Sequence, residues 1–401
     1  ADAARQPSPA WDSAMIRSVQ GGALAVLAFL LPFTLFTPIA PPVVGEVLPL
    51  YAAPGLTVTE GAALGVVLLL LFRARWAWPP LAWGVVLLVA LALLTATTAV
   101  SPRLALVNTA RWGIAALLFI SLSQPHVPWR SMARYFLLGL AVQVGVGVAQ
   151  VAMQGPIGLF GELALPPEQP GAAVLSVGGR RWLRAYGLTF HPNVLGGYLA
   201  LGLLVALPLL RERAMRLLWF WLALGLLLTF SRSAWLALAV TLPLLALWLV
   251  RRHAELRRPL TLTLGSGLLL LAIAVVPVAP QLWSRLAPTG GSGTEFYSLD
   301  ERAVLASIAT DFIRERPLTG WGAGNFAVAM VVEGYRERAH PVHNVPLLLA
   351  AEVGLLGVLG WMWLWLFPVA RTRARGSPWW SPSSWTTAGR GRRRCSRRGW
   401  P

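Results

Sequence analysis

Long apolar runs separated by short polar stretches set the pattern of the chain. Ten can be drawn, at 20–40, 56–72, 81–100, 104–122, 135–154, 190–210, 216–230, 233–250, 260–280 and 345–368. A helix of roughly 17 to 25 apolar residues spans the ~30 Å hydrocarbon layer of a bilayer, so each run predicts a transmembrane helix. The connections between them alternate in character. One set is short and basic: Arg73 and Arg75; Arg130 and Arg134; Arg211, Arg213 and Arg216; Arg251, Arg252, Arg257 and Arg258; Arg371, Arg373 and Arg375. The positive-inside rule puts these, with the N-terminus, in the cytoplasm. The other set then faces outward and includes two long segments, 155–189 and 281–344. Connections of that length in a compact protein are usually functional. The first run follows Arg5 and Arg17 but lacks a small-x-small cleavage site. It reads as a retained helix rather than a signal peptide.

Composition agrees with the pattern. Apolar residues make up 56% of the chain and charged residues 12%, with a mean hydropathy of +0.62. A soluble domain carries about a quarter charged residues. The expected class is an all-α polytopic membrane protein of about ten transmembrane helices. Three regions follow: N-terminal transmembrane helices over 1–154, a core over 155–368 bearing both long loops, and a basic tail over 371–401. The tail has no periodic order and reads as disordered, or as an out-of-frame terminus replacing further spans. The formal charge of +18 does not point to nucleic acid, because the arginines fall in short clusters between apolar runs and in the tail. A membrane-lipid partner suits them instead. A single cysteine, Cys395, excludes a disulfide framework and a cysteine-based metal site.

Candidate chemistry gathers on the outward segments. Arg180, Arg181, Arg184, Arg232, Arg285 and Arg302 are not needed for topology there, and an anionic ligand is the simplest explanation for them. His191, His340 and His343 accompany them. Imidazole exchanges a proton near neutral pH, while guanidinium stays charged and grips phosphate oxygens in pairs. Together they suit a substrate with a diphosphate leaving group and a hydroxyl acceptor. Other readings stand beside this one. His343 and Asn344 could cap the following helix. His340 and His343 could bind a metal with Glu333 or Glu337, although Pro341 opposes a regular helix between them. Gly320 to Gly324 reads as a tight turn, since no βαβ unit surrounds it. Arg232 sits in a minimal turn near membrane depth, where an ionisable group is functional by default or else snorkels. Pro192 suits a first helical turn, and Gly196 and Gly197 would admit a close backbone.

Four pieces in order resemble the O-antigen ligase / O-antigen polymerase superfamily of bacterial polysaccharide-assembly proteins. They are Arg184-Ala-Tyr-Gly-Leu-Thr-Phe-His-Pro-Asn193; Leu228-Thr-Phe-Ser-Arg232-Ser-Ala-Trp; Arg302 leading into Arg316-Pro-Leu-Thr-Gly-Trp-Gly-Ala-Gly-Asn325; and His343-Asn344 followed by Gly354 and Gly357. The resemblance covers roughly 180–360. It implies a glycosyltransferase type C-like helical fold in the bacterial inner membrane, with the active site facing the periplasm. It further implies a glycan donor on undecaprenyl diphosphate and an acceptor hydroxyl on a glycan, on lipid A–core or on a protein. By resemblance, His343, Arg302 and Arg232 would be catalytic, and Arg184, Arg181, Asn193, Asn344 and His340 would bind substrate. Neither metal nor cofactor is implied, because arginine can neutralise the departing diphosphate. The His-Asn spacing tilts the expectation toward ligase over polymerase or protein O-oligosaccharyltransferase. A transporter would show inverted repeats and mid-bilayer charges; a non-catalytic assembly scaffold is the remaining alternative.

Overall fold

The computed structural model describes residues 10–44, 49–71, 78–124, 127–169, 171–286, 293–336 and 339–374. Arg5, Arg73, Arg75, Glu337, the side chain of Arg285 and the tail from 375 onward lie outside the described residues, as do the side chains of Arg371 and Arg373.

The chain begins with α1 (Ala10–Leu30), which runs into a small antiparallel pair, β1 (Phe36–Pro38) and β2 (Gly55–Thr57), with the single turn α2 (Pro49–Ala52) between them. Then come α3 (Val58–Leu71), α4 (Ala82–Thr95), α5 (Pro102–Leu122) and α6 (Trp129–Met153). A second hairpin, β3 (Val174–Val177) with β4 (Arg180–Leu183), precedes α7 (Pro192–Ala206), α8 (Arg213–Leu228), α9 (Arg232–Arg252) and α10 (Arg257–Val275). The last part holds α11 (Ala279–Leu286), α12 (Gly293–Glu315), α13 (Phe326–Val332), α14 (Val345–Val353) and α15 (Leu355–Ala374).

Each expected span contains an apolar helix. Among the described residues five stretches are long and apolar enough to cross a membrane: α5, α6, α7 with its 3-10 extension, α9, and Ala254–Ser284 containing α10. α1, α3, α4 and α15 contribute shorter apolar stretches, and α8 has 16 residues. The protein is a mostly helical, polytopic membrane protein.

The differences from the sequence reading have local causes. The span expected over 20–40 stops at Leu30, because Pro32 and Pro38 cannot continue a helix and the segment pairs with β2 instead. The span at 345–368 breaks at Gly354, whose φ of 82° no helix admits. The span at 81–100 ends at Thr95, where the Thr95, Thr97 and Thr98 hydroxyls donate to carbonyls of the final turns. The two long segments expected to face outward are structured: one holds the β3–β4 hairpin, turned through Gly178 and Gly179 at positive φ. The other holds α11, α12 and α13.

The largest core joins α6, α7 and α8, with Leu137, Leu140, Leu195, Leu199, Leu203 and Leu222 fully buried. Glycines allow the close approach. A Cβ at Gly202 would meet Leu140, and one at Gly225 would meet Val144. A second core packs Leu305, Ile308 and Phe312 of α12 against Trp321 and Phe326. This core fixes the Gly-rich turn and α14 beside α12.

Candidate functional site

Three helices begin in the same way at the end of the bundle where the loops gather. Each has a polar cap and a proline in its first turn: Ser101 with Pro102, His191 with Pro192, and Asn344 with Pro346. The caps accept the N–H groups of Leu104, Asn193 and Leu347 that would otherwise be orphaned. The predicted proline start of α7 is therefore present.

Arg184, Asn193 and Arg232 form one group. Arg184 is 5% exposed. Its Nε donates to the Thr229 carbonyl (2.8 Å), and its Nη2 donates to Asn193 Oδ1 (2.6 Å) and the Phe230 carbonyl (3.4 Å). The Ala185 N–H adds a bond to the Leu228 carbonyl (3.0 Å). Phe230 has a φ of 48°, a left-handed conformation rare outside glycine, and this reverses the chain directly into α9. Arg232 is the first residue of α9 and is half-buried. Thus Arg184 and Asn193, expected at a substrate, are bonded to each other, and Arg184 is bonded to the turn that presents Arg232. A Cβ at Gly196 would meet Ser231 and Ala234, so α7 packs tightly against this turn. Gly197, expected to do the same, faces open space. Arg181 is exposed on β4, with Nη1 3.4 Å from the Glu168 carbonyl.

Arg302, His340, His343 and Asn344 form the second group. His340 Nε2 lies 2.9 Å from Glu301 Oε1 on α12. The His340 and His343 rings stack with centroids 5.6 Å apart and an interplanar angle of 26°. His340 Nδ1 is buried with no hydrogen-bond partner among the described residues. His343 is exposed. Its pKa lies below the ordinary histidine value: partial burial is the largest cause, followed by His340 and the Arg302 charge, with Glu301 opposing them. Such an imidazole stays neutral, and able to accept a proton, to lower pH than a free one. Asn344, expected to touch substrate, has its Oδ1 engaged as the N-cap of α14, 3.2 Å from the Leu347 N–H. Among the described residues no three His, Cys, Asp or Glu side chains gather as metal ligands. Glu337, which the metal alternative invokes, lies outside them.

The Gly-rich segment is a docked turn. Gly320, Gly322 and Gly324 all have positive φ. Their backbone lies on the end of α14: Trp321 N–H donates to Ala351 O and Gly322 N–H to Glu352 O, both at 2.9 Å. The buried Glu352 carboxylate accepts from Gly324 N (2.9 Å) and Phe326 N (3.1 Å). Gly354 permits the return crossing, since a Cβ there would meet the Leu318 carbonyl. The spacing of Gly320, Gly324 and Gly354 therefore serves backbone approach.

Sequence reasoning missed the residues that hold the segment following Arg184 in place. Gln143 and Gln150 lie seven residues apart on α6, so they share a face, and both are wholly buried. Gln143 accepts from Leu188 N (2.5 Å) and donates to Pro32 O (2.9 Å). Gln150 accepts from Tyr186 N and Gly187 N and donates to Gly187 O. Two glutamines in an apolar span were the available signal. Further contacts lead around the same end of the bundle. Phe190 N donates to Thr34 Oγ1, β1 pairs with β2, Thr57 N donates to Glu60, and Glu60 pairs with Arg111 at 2.6 Å. Arg111 in turn reaches Asn108, against which the Gly324 backbone rests. These contacts tie the Arg184–Arg232 region, through the β1–β2 pair, α3 and α5, to the Gly-rich turn. A separate apolar cavity of about 320 Å³ lies among α4, α5 and α15, and no candidate site residue lines it.

The class that the fold defines is a helical, polytopic membrane protein with two clusters of polar and ionisable groups in its loops, one around Arg184 and one around Glu301, His340 and His343. Residues 217–362 match the family described as O-antigen ligase, and this segment carries the O-antigen ligase superfamily resemblance. It takes in Arg232, Arg302, the Gly-rich turn, His340, His343 and Asn344. No curated protein matches the chain. The match supports an O-antigen ligase- or polymerase-type role in glycosyl transfer.

Proposed function

We propose that the protein transfers a glycan from undecaprenyl diphosphate to an acceptor hydroxyl at the outer face of the bacterial inner membrane. The observation that carries this reading is the match of residues 217–362 to the O-antigen ligase family, a stretch that takes in Arg232, Arg302 and His343. The acceptor oxygen attacks the anomeric carbon and its proton passes to His343. The bond from that carbon to the diphosphate breaks with inversion, and the electron pair stays on the diphosphate oxygen. Arg302 and Arg232 neutralise the charge as it develops, which is where fixed cations act most strongly and why no metal is invoked. Arg181 and His340 assist at the substrate. Arg184 and Asn193 act chiefly through the turn that presents Arg232, and Asn344 through the start of α14.

Purified protein supplied with lipid-linked glycan and acceptor tests the reading. His343→Ala and Arg302→Ala each lower transfer by a factor of ~10² or more, the scale of a lost general base or a lost transition-state charge partner. Full transfer by both variants removes both roles. A lipid A–core acceptor used in preference to a second lipid-linked repeat identifies ligase over polymerase.

A further inference from the structure

The segment after α6 carries an apolar tip that neither the family match nor the proposed reaction explains. From Gly155 to Pro167 the only charged residue is Glu162. Its carboxylate is turned inward: it accepts from the N–H groups of Ile157 (2.9 Å), Gly158 (2.8 Å) and Leu159 (3.1 Å), and from Gln150 Nε2 (2.8 Å). Gly158 and Gly161 adopt positive φ to close the loop, and Leu35 packs against Gly161. One side chain therefore satisfies three backbone donors and bolts the loop to the last turns of α6. What this built loop presents is apolar. Phe160 is 92% exposed, and Leu159 and Leu163 are 44% and 46% exposed.

The position of the loop selects its partner. α6 has 25 residues and so rises about 37 Å, somewhat more than the ~30 Å hydrocarbon layer. Its C-terminal turn therefore reaches the headgroup region, where Met153 is 67% exposed. Gln154, at φ 49°, turns the chain sharply there. The Gln150–Glu162 bond keeps the loop alongside that turn instead of extending it into water. Aromatic and aliphatic side chains at this depth are seated favourably in the interfacial layer.

We propose that Ile157–Leu163 is a membrane-dipping finger, with Leu159, Phe160 and Leu163 seated at the boundary between headgroups and acyl chains beside the end of α6. The finger fixes the height of the 155–189 segment above the bilayer. It rests on the membrane class of the protein and not on the transfer reaction.

The test uses the single native cysteine. In a Cys395→Ser background of the full chain, Phe160→Cys, Leu163→Cys and Glu168→Cys are each labelled with a nitroxide and reconstituted into phosphatidylethanolamine–phosphatidylglycerol vesicles. Collision rates with oxygen, which partitions into lipid, are compared with those of a water-soluble nickel chelate. Labels at 160 and 163 are expected to favour oxygen severalfold, whereas the label at 168 favours the chelate. The Leu163 site retains Phe160, so a fault introduced at 160 does not decide the result. Equal ratios at 160, 163 and 168 would overturn the proposal. So would spin–spin broadening at 160 that vanishes on dilution with unlabelled protein, because a second copy would then occupy the tip.

Discussion

Gln150→Leu is the substitution that probes the architecture most directly. Leucine keeps a similar volume and suits an apolar helix, so a reading from composition alone expects little change. The structure expects a large one. Gln150 is fully buried and binds Tyr186 N at 3.0 Å, Gly187 N at 2.9 Å and Gly187 O at 2.9 Å. Leucine leaves three backbone groups without partners in a site closed to water. Each orphan costs ~1–3 kcal/mol, and added apolar burial offsets a part, giving a net loss of about 3–6 kcal/mol. Gln143→Leu strands only Leu188 N and Pro32 O and should cost roughly two-thirds as much. The assay is unfolding of the purified protein in one detergent, with hydrogen exchange read over 184–189. Because Arg184 leaves this segment to tie the turn before Arg232, exchange should rise there and transfer should fall with it. Wild-type stability within ~1 kcal/mol, together with unchanged protection at 186–188, would refute the claim that these glutamines hold the segment after Arg184.

Further predictions concern the candidate site and its surroundings. A lowered His343 pKa means that its basic form survives below the usual histidine range, so kcat/KM should stay level at neutrality and decline only as pH falls through the depressed value. Arg302→Gln should move that acid limb of the residual activity to higher pH and Arg302→Lys should leave it in place; identical limbs would remove Arg302 from the electrostatics of His343. Gly354→Ala puts a Cβ at φ 82° against the Leu318 carbonyl, and should destabilise the junction of the Gly-rich turn with α14 by about 2–4 kcal/mol in denaturant titrations. Glu60→Ala should lose more stability than the Glu60→Ala/Arg111→Leu pair, because the single change leaves a partly buried guanidinium without its carboxylate. Equal losses would mean that Arg111 left without Glu60 carries no burial penalty.

The apolar runs alone determined that this is a polytopic helical protein and placed its apolar helices, but not α11, α12 and α13. Twenty consecutive oily residues have few options in a bilayer, where each backbone polar group must be satisfied within its own segment. The proline start of α7 belongs to the same kind of local physics; the Gly354 break inside the expected 345–368 span was not read from it. Motif order was also legible, and the family match over 217–362 covers its later pieces. What each polar residue does was decided elsewhere. Arg184 looked like a ligand for phosphate, yet its guanidinium lies on the Thr229 and Phe230 carbonyls, 45 and 46 residues away. Glu352 reads as an isolated charge in an apolar run, but it accepts N–H groups from a turn 26 and 28 residues earlier. A hydrogen bond forms with whatever donor or acceptor the fold brings within about 3 Å, and separation along the chain carries almost no information about that partner. Hydrophobic periodicity is local and can be read in order; polar pairing is set by packing, and only the tertiary structure supplies it.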